Sequence, residues 1–152
     1  MITENYVSFK LAKLLKEKGF DGSCYKVWES HGDSQTLVGA PSFVEGETVV
    51  NRESVDAAAK QYVYEYNLNN NVEGYLAPTL QMAMKWLREV HNYNISICLD
   101  SYVEPYDNQY YIVIRRRKDK YEDISPCEQV YFDSYEQACE AAIRYCLENL
   151  IN

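Results

Sequence analysis

The stretch PTLQMAMKWLREVHNYNISICL, residues 78–99, changes from helical to strand periodicity. Thr79 is placed to cap a helix that runs to about Asn92. The apolar residues of this helix form two adjoining stripes at helical spacing, which consist of Leu80, Ala83, Met84 and Leu87 and of Met82, Trp86 and Val90. After it, Ile95, Ile97 and Leu99 alternate with polar residues, as in a half-buried strand. Two stripes imply packing on more than one side, so we predict a central helix in an α+β core.

A helix and two strands are predicted before this stretch. Ser8 can cap a helix over about residues 9–18, and Gly19 can end it because glycine reaches the left-handed conformation without a steric penalty. Strands follow near 25–28 and 36–38, joined by a turn. The N-terminal part therefore has the order helix, strand, strand.

A sheet and a last helix are predicted after the central helix. The strand at 95–99 is expected to pair with one near 110–114, and a third strand ends near 130–132. The last helix covers 135–150, and Ser134 and Gln137 have the spacing of a capping box at its start. The fold class is therefore α+β. We predict a single domain over 1–152, with helix-strand-strand followed by a helix, a three-stranded antiparallel sheet and a C-terminal helix.

The segment at about 41–75 is ambiguous. Its apolar residues recur at helical spacing over 54–66, but Tyr62, Tyr64, Tyr66 and Leu68 also alternate as strand residues would. The helix is favoured, while the choice between helix and strand for 54–68 stays open. The asparagine-rich residues 67–71 predict a loop.

The composition indicates a folded, acidic chain. Its 152 residues carry a formal net charge of -8, and 47% are hydrophobic, which argues against disorder. The negative charge disfavours nucleic acid and anionic membranes as partners. The five cysteines form no Cys-x-x-Cys pair, which argues against disulfides and zinc. Without a signal peptide or a long apolar run, we expect a cytoplasmic protein that needs no membrane, metal or cofactor.

Tyrosine is abundant, with 15 residues in the chain. Tyrosine is enriched at binding surfaces because it offers a large rigid contact area with one hydrogen-bonding group. Four tyrosines around the ambiguous segment are the candidate protein-binding residues, namely Tyr62, Tyr64, Tyr66 and Tyr75. They would bind a protein partner or a second copy of the chain.

A dense basic run offers a different candidate site. Arg115, Arg116, Arg117 and Lys118 follow each other near several tyrosines, and basic residues interleaved with aromatics can bind single-stranded nucleic acid. The same residues can also be a solvated strand end that prevents sheet-to-sheet aggregation. No pattern of histidine, thiol or carboxylate spacing predicts a catalytic residue.

Three segments resemble a group of small uncharacterised proteins from gut Bacteroidetes, their phages and integrated elements. The segments are the opening from YVSF (6–9) to GFD (19–21), APTLQMAMKWLRE (77–89) and DSYEQACEAAI (133–143). The resemblance implies an accessory protein encoded by a phage or mobile element, and it carries no known activity. Our hypothesis is a non-enzymatic protein-binding accessory protein. The alternatives are a nucleic-acid accessory protein that uses residues 115–118 and a small enzyme with an unrecognised cleft.

Overall fold

The computed structural model describes residues 2–39, 52–70, 73–101 and 108–152, and they confirm the α+β class. Within these ranges the chain forms four α-helices and two antiparallel sheets. The backbone groups into two compact units, residues 1–79 and 80–152. The single-domain organisation stays a prediction. No helix in the described ranges combines the length and the apolar composition needed to cross a membrane.

The described residues of the N-terminal unit form two helices and a three-stranded sheet in the strand order β2-β1-β3. Its elements are α1 (Phe9–Glu17), β1 (Lys26–His31), β2 (Ser34–Gly39), α2 (Arg52–Asn70) and β3 (Tyr75–Ala77). The predicted helix-strand-strand order is confirmed. The Ser8 side chain accepts the Leu11 N–H at 3.2 Å, and Gly19 has a φ of 79° just after the helix. The short strand β3 was not predicted.

The ambiguous segment is a helix, as the helical spacing favoured. Helix α2 continues to Asn70, so the predicted loop at 67–71 is wrong for residues 67–70. The Asn67 side chain accepts the backbone N–H of Gly74, so an asparagine that favours loops in isolation is held in the helix by the following segment. Asn71 and the predicted uncertain residues 41–51 lie outside the described residues.

The two helices of this unit contact opposite faces of strand β1. Because side chains alternate along a strand, Trp28 and Glu29 point to opposite faces. On the Trp28 face, Phe9 of α1 contacts Trp28 with ring centroids 6.2 Å apart. On the Glu29 face, Tyr62 of α2 donates a hydrogen bond to the Glu29 carboxylate. The sheet of the N-terminal unit therefore lies between α1 and α2.

In the C-terminal unit, residues 80–101 and 108–152 form two helices and a four-stranded sheet. Its elements are α3 (Leu80–His91), β4 (Tyr93–Asp100), β5 (Gln109–Arg117), β6 (Tyr121–Asp123), β7 (Tyr131–Phe132) and α4 (Tyr135–Tyr145), which continues as a π-helical turn (Cys146–Leu150). As predicted, α3 buries its first stripe, including Ala83 and Leu87, but of the second stripe it fully buries only Trp86, while Met82 is half-buried. The second stripe ends early, because Val90 is 55% exposed. Asn92, with a φ of 61°, reverses the chain into β4.

The third strand of the predicted sheet is two short strands. Strand β6 pairs with β5 at Arg115–Arg117, and β7 pairs with β5 at Tyr110 and Tyr111. Tyr131 follows Asp123 by eight positions, whereas their partners on β5, Tyr111 and Arg115, are only four positions apart. The intervening segment must therefore leave the sheet, which is why the sheet has four strands rather than three.

Both helices of the C-terminal unit contact the same face of its sheet. Tyr93 donates to the carbonyl of Leu150 at 2.7 Å, and the rings of Tyr110 and Tyr135 lie 6.0 Å apart. Tyr93 also stacks with His91 at the end of α3. Strand alternation places the neighbours of Tyr93 and Tyr110 on the opposite face, which no described helix of this unit covers.

Candidate functional site

Two of the predicted binding tyrosines attach helix α2 to strand β1. Tyr62 donates to the carboxylate of Glu29, and Tyr66 donates to the carbonyl of Ser30 at 3.0 Å. Glu29 is only 8% exposed, and its other oxygen lies 3.1 Å from Nε2 of His31. Burial and the hydrogen bond to Glu29 raise the pKa of Tyr62 to about 12. These hydroxyls therefore serve contacts within the N-terminal unit.

The other two predicted tyrosines differ sharply in exposure. Tyr75 is 4% exposed, and its ring lies edge-on to Phe9 at 5.3 Å between centroids. Its hydroxyl donates to Glu73, and burial together with that bond raises its pKa to about 12. Tyr64 is 64% exposed. Of the four tyrosines, Tyr64 has the most accessible ring, and the protein-binding role of the set stays a prediction.

The basic run 115–118 does not form one continuous patch. Arg115 and Arg117 are exposed on the face without helices, whereas Arg116 points to the opposite face. The Arg116 guanidinium lies 5.5 Å from the centroid of Tyr93, and its Nη1 is 3.9 Å from Glu122. Lys118 also pairs with Glu122, at 3.6 Å. The strand therefore divides the run between two faces.

The face without helices presents three tyrosines and two arginines from three adjacent strands. We call it the open face, and it comprises Asn94, Ser96, Cys98 and Asp100 of β4, Gln109, Tyr111, Val113, Arg115 and Arg117 of β5, Tyr121 and Asp123 of β6, and Tyr131 of β7. Tyr121 is 69% exposed and lies opposite Arg117 in the register. The rings of Tyr111 and Tyr131 lie 6.2 Å apart.

The charges of the open face are balanced. Arg115 lies opposite Asp123, and the Tyr131 hydroxyl lies 3.3 Å from Asp100. Hydrogen bonds from Ser125, and to a lesser degree the charge of Arg115, lower the pKa of Asp123. The surface thus carries two arginines and two aspartates, of which Arg115 and Asp123 lie opposite each other in the register. Sequence reasoning missed the face because Tyr121 and Tyr131 join it only through the pairing register.

Three of the thiols and one histidine occupy structural positions. Burial raises the pKa of Cys24 and Cys146 to about 12 and that of Cys139 to about 11. His91 packs against Trp86 with ring centroids 4.7 Å apart, and burial lowers its pKa. In the ranges that the structure describes, no group of three or more His, Cys, Asp or Glu residues could hold a metal ion.

Comparison of the chain with protein-family models, with curated proteins and with solved structures finds no match. What the open face does must therefore be inferred from its own residues.

Proposed function

We propose that this chain is a protein-binding module whose binding surface is the open face. The observation that supports the proposal is a sheet face that no described helix of its unit covers and that carries exposed Tyr121, Arg115 and Arg117 together with Tyr111 and Tyr131. Tyrosine and arginine are the residues that, with tryptophan, contribute most often to the binding energy of protein interfaces. A strand surface also holds such side chains at fixed spacing, which reduces the ordering cost of binding.

Charge favours a protein over nucleic acid as the partner. The chain has a net charge of -8, and the two arginines of the open face are accompanied by Asp100 and Asp123. A nucleic-acid surface needs excess positive charge to release counterions from phosphates. A balanced surface of aromatic and charged residues is instead typical of a protein interface with a polar rim.

A specific observation favours single-stranded nucleic acid as a second candidate partner. Exposed Tyr121 lies beside exposed Arg117, and tyrosines on a sheet can stack with unpaired bases while arginine contacts phosphate. This candidate uses only Arg115 and Arg117 of the predicted basic run. The resemblance adds to both candidates the expectation that the complex serves a phage or mobile element.

A matched pair of tyrosine substitutions tests the proposal. Tyr121 and Tyr64 are exposed to nearly the same extent, 69% and 64%, but only Tyr121 belongs to the open face. The tagged full chain and its Tyr121→Ala and Tyr64→Ala variants are used to capture partners from a lysate of the source organism. Captured proteins are identified by mass spectrometry, with and without nuclease, and their affinities are then measured with purified protein.

The outcomes distinguish the two surfaces and the two partner classes. We expect a nuclease-resistant protein partner whose affinity falls about tenfold or more with Tyr121→Ala and is unchanged with Tyr64→Ala, since truncating a central aromatic of an interface costs at least 1–2 kcal/mol. If Tyr64→Ala lowers the affinity and Tyr121→Ala does not, the binding surface lies on helix α2 instead. Capture that nuclease abolishes would support the nucleic-acid candidate instead.

A further inference from the structure

A cavity of about 450 Å³ lies where the segment between β6 and β7 leaves the sheet of the C-terminal unit. Neither short strand pairs with Ile112 and Val113, because β6 pairs with residues 115–117 and β7 with residues 110–111. Residues of the departing segment and of this interrupted part of β5 both line the cavity. Its volume is within the range of cavities that bind small molecules.

The floor of the cavity is apolar. Ile112 and Phe132 of the sheet and Ala141 of helix α4 line it, and Val130 of the departing segment forms part of its wall. Val130 is 55% exposed. An apolar ligand body would remove this valine and the floor from water, which is a favourable contribution to binding.

The polar groups of the cavity carry negative charge. Asp123 and Glu128 both line it, and the described lining contains no lysine, arginine or histidine. Asp123 accepts two hydrogen bonds from Ser125, at 3.0 Å from its N–H and at 2.6 Å from its hydroxyl. Arg115 lies opposite Asp123 on the sheet, and its positive charge partly compensates the negative charge of that carboxylate. Glu128, which is exposed, is therefore the less compensated of the two carboxylates.

From this arrangement we infer that the cavity binds a small organic amine. The apolar body of the ligand lies against Ile112, Phe132 and Ala141, and its ammonium group faces the carboxylates of Asp123 and Glu128. The cavity shares Val113 and Asp123 with the open face, whereas Ile112, Phe132 and Ala141 of its lining do not belong to that face. The ligand proposal does not rest on the protein-binding proposal. The proposal gives the chain a small-molecule ligand in addition to the protein partner proposed above.

Three probes of similar shape and different charge test the inference. The ¹⁵N-labelled full chain is titrated with phenethylamine, 2-phenylethanol and phenylacetate, and the amide shifts are followed by NMR. We expect phenethylamine to shift the amides of the lining residues, 2-phenylethanol to bind more weakly, and phenylacetate not to bind. Glu128→Gln should weaken phenethylamine roughly threefold, which is the size of a partly exposed ion pair. Glu148→Gln, with the same change of net charge at an exposed site outside the lining, should leave it unchanged.

The inference is overturned if the three probes bind equally, if the shifts lie outside the lining, or if Glu128→Gln and Glu148→Gln behave alike. Ala141→Leu places a larger side chain in the floor and should remove phenethylamine binding. The NMR spectrum of this variant should remain that of a folded protein. A capped peptide with lysine beside phenylalanine is a further probe. If it binds and phenethylamine does not, the cavity takes a side chain of a protein and the small-molecule assignment is wrong.

A thiol in the lining supplies a second measurement that does not depend on an engineered variant. Cys127 is exposed and lines the cavity, whereas Cys24, Cys139 and Cys146 are buried. Its thiolate displaces iodide from iodoacetamide to form a carbon–sulfur bond, and the modified peptide is quantified by mass spectrometry. Phenethylamine should slow this alkylation and phenylacetate should not, while equal rates with both compounds would contradict the site.

Discussion

Helix α2 and the open face are both rich in tyrosine, yet they use it differently. On α2, the hydroxyls of Tyr62 and Tyr66 donate to Glu29 and Ser30 of the sheet beneath. On the open face, Tyr121 is 69% exposed on a short outer strand. The hydroxyls of Tyr62 and Tyr66 stabilise the N-terminal unit, whereas the ring of Tyr121 is exposed to solvent.

The comparison shows that the number of tyrosines does not identify a binding surface. A tyrosine hydroxyl above a buried acceptor is part of the fold, because leaving that acceptor unsatisfied costs free energy. Glu29, at 8% exposure, is such an acceptor. Because Tyr121 lies on an exposed strand, its ring is available for contacts with another molecule.

Alkaline pH should produce the largest effect, because it ionises two of the structural tyrosines together. The pKa values of Tyr62 and Tyr75 are raised from 10.0 to about 12 by burial and by hydrogen bonds to Glu29 and Glu73. A raised pKa means that the folded chain holds these protons more tightly than the unfolded chain. The associated stability is complete below pH 10 and is lost as the pH rises from 10 towards 12.

Urea unfolding across this pH range measures that loss. The variant with both Tyr62→Phe and Tyr75→Phe is the control, because it is less stable at pH 8 but has no raised tyrosine pKa at these positions. Its unfolding midpoint should therefore fall less steeply above pH 10 than that of the unmodified chain. If the unfolding midpoints of the two proteins fell equally with pH, the hydroxyls of Tyr62 and Tyr75 would not have the raised pKa values given above.

Removal of a single hydroxyl should have the next largest effect. Tyr62→Phe leaves the buried Glu29 carboxylate without its phenol donor, and should lower the free energy of unfolding by about 1–2 kcal/mol. Tyr64→Phe removes a hydroxyl from the same helix at a 64% exposed residue and should change it by less than about 0.5 kcal/mol. Urea denaturation at pH 7 measures both. Equal effects would remove the distinction between the structural and the exposed tyrosines.

Local patterns predicted the fold well where neighbours along the chain decide it. Capping at Ser8 and Ser134 and the first stripe of α3 depend on residues within a few positions of each other, and these features formed as predicted. The end of α2 was missed because Asn67 is held by Gly74, a contact that its own asparagine-rich surroundings do not reveal.

The candidate site depended on the register and was therefore much less predictable. Alternation along β5 could have shown that Arg115 and Arg117 share a face and that Arg116 does not. The positions of Tyr121 and Tyr131 could not be read in this way, because the two short strands pair with β5 in registers that differ by four residues. The single third strand that we predicted would have paired with β5 in one register throughout.

The smallest expected effect separates Arg116 from Arg117 within the basic run. Arg116→Ala removes the guanidinium over Tyr93 and should lower the free energy of unfolding by about 0.5–1 kcal/mol. Arg117→Ala, at an exposed residue of the open face, should change it by less than about 0.5 kcal/mol. Partner affinity should respond in the opposite order, falling with Arg117→Ala and staying unchanged with Arg116→Ala. If both substitutions weaken binding equally without affecting stability, the run acts as one patch and the division of the strand between two faces is wrong.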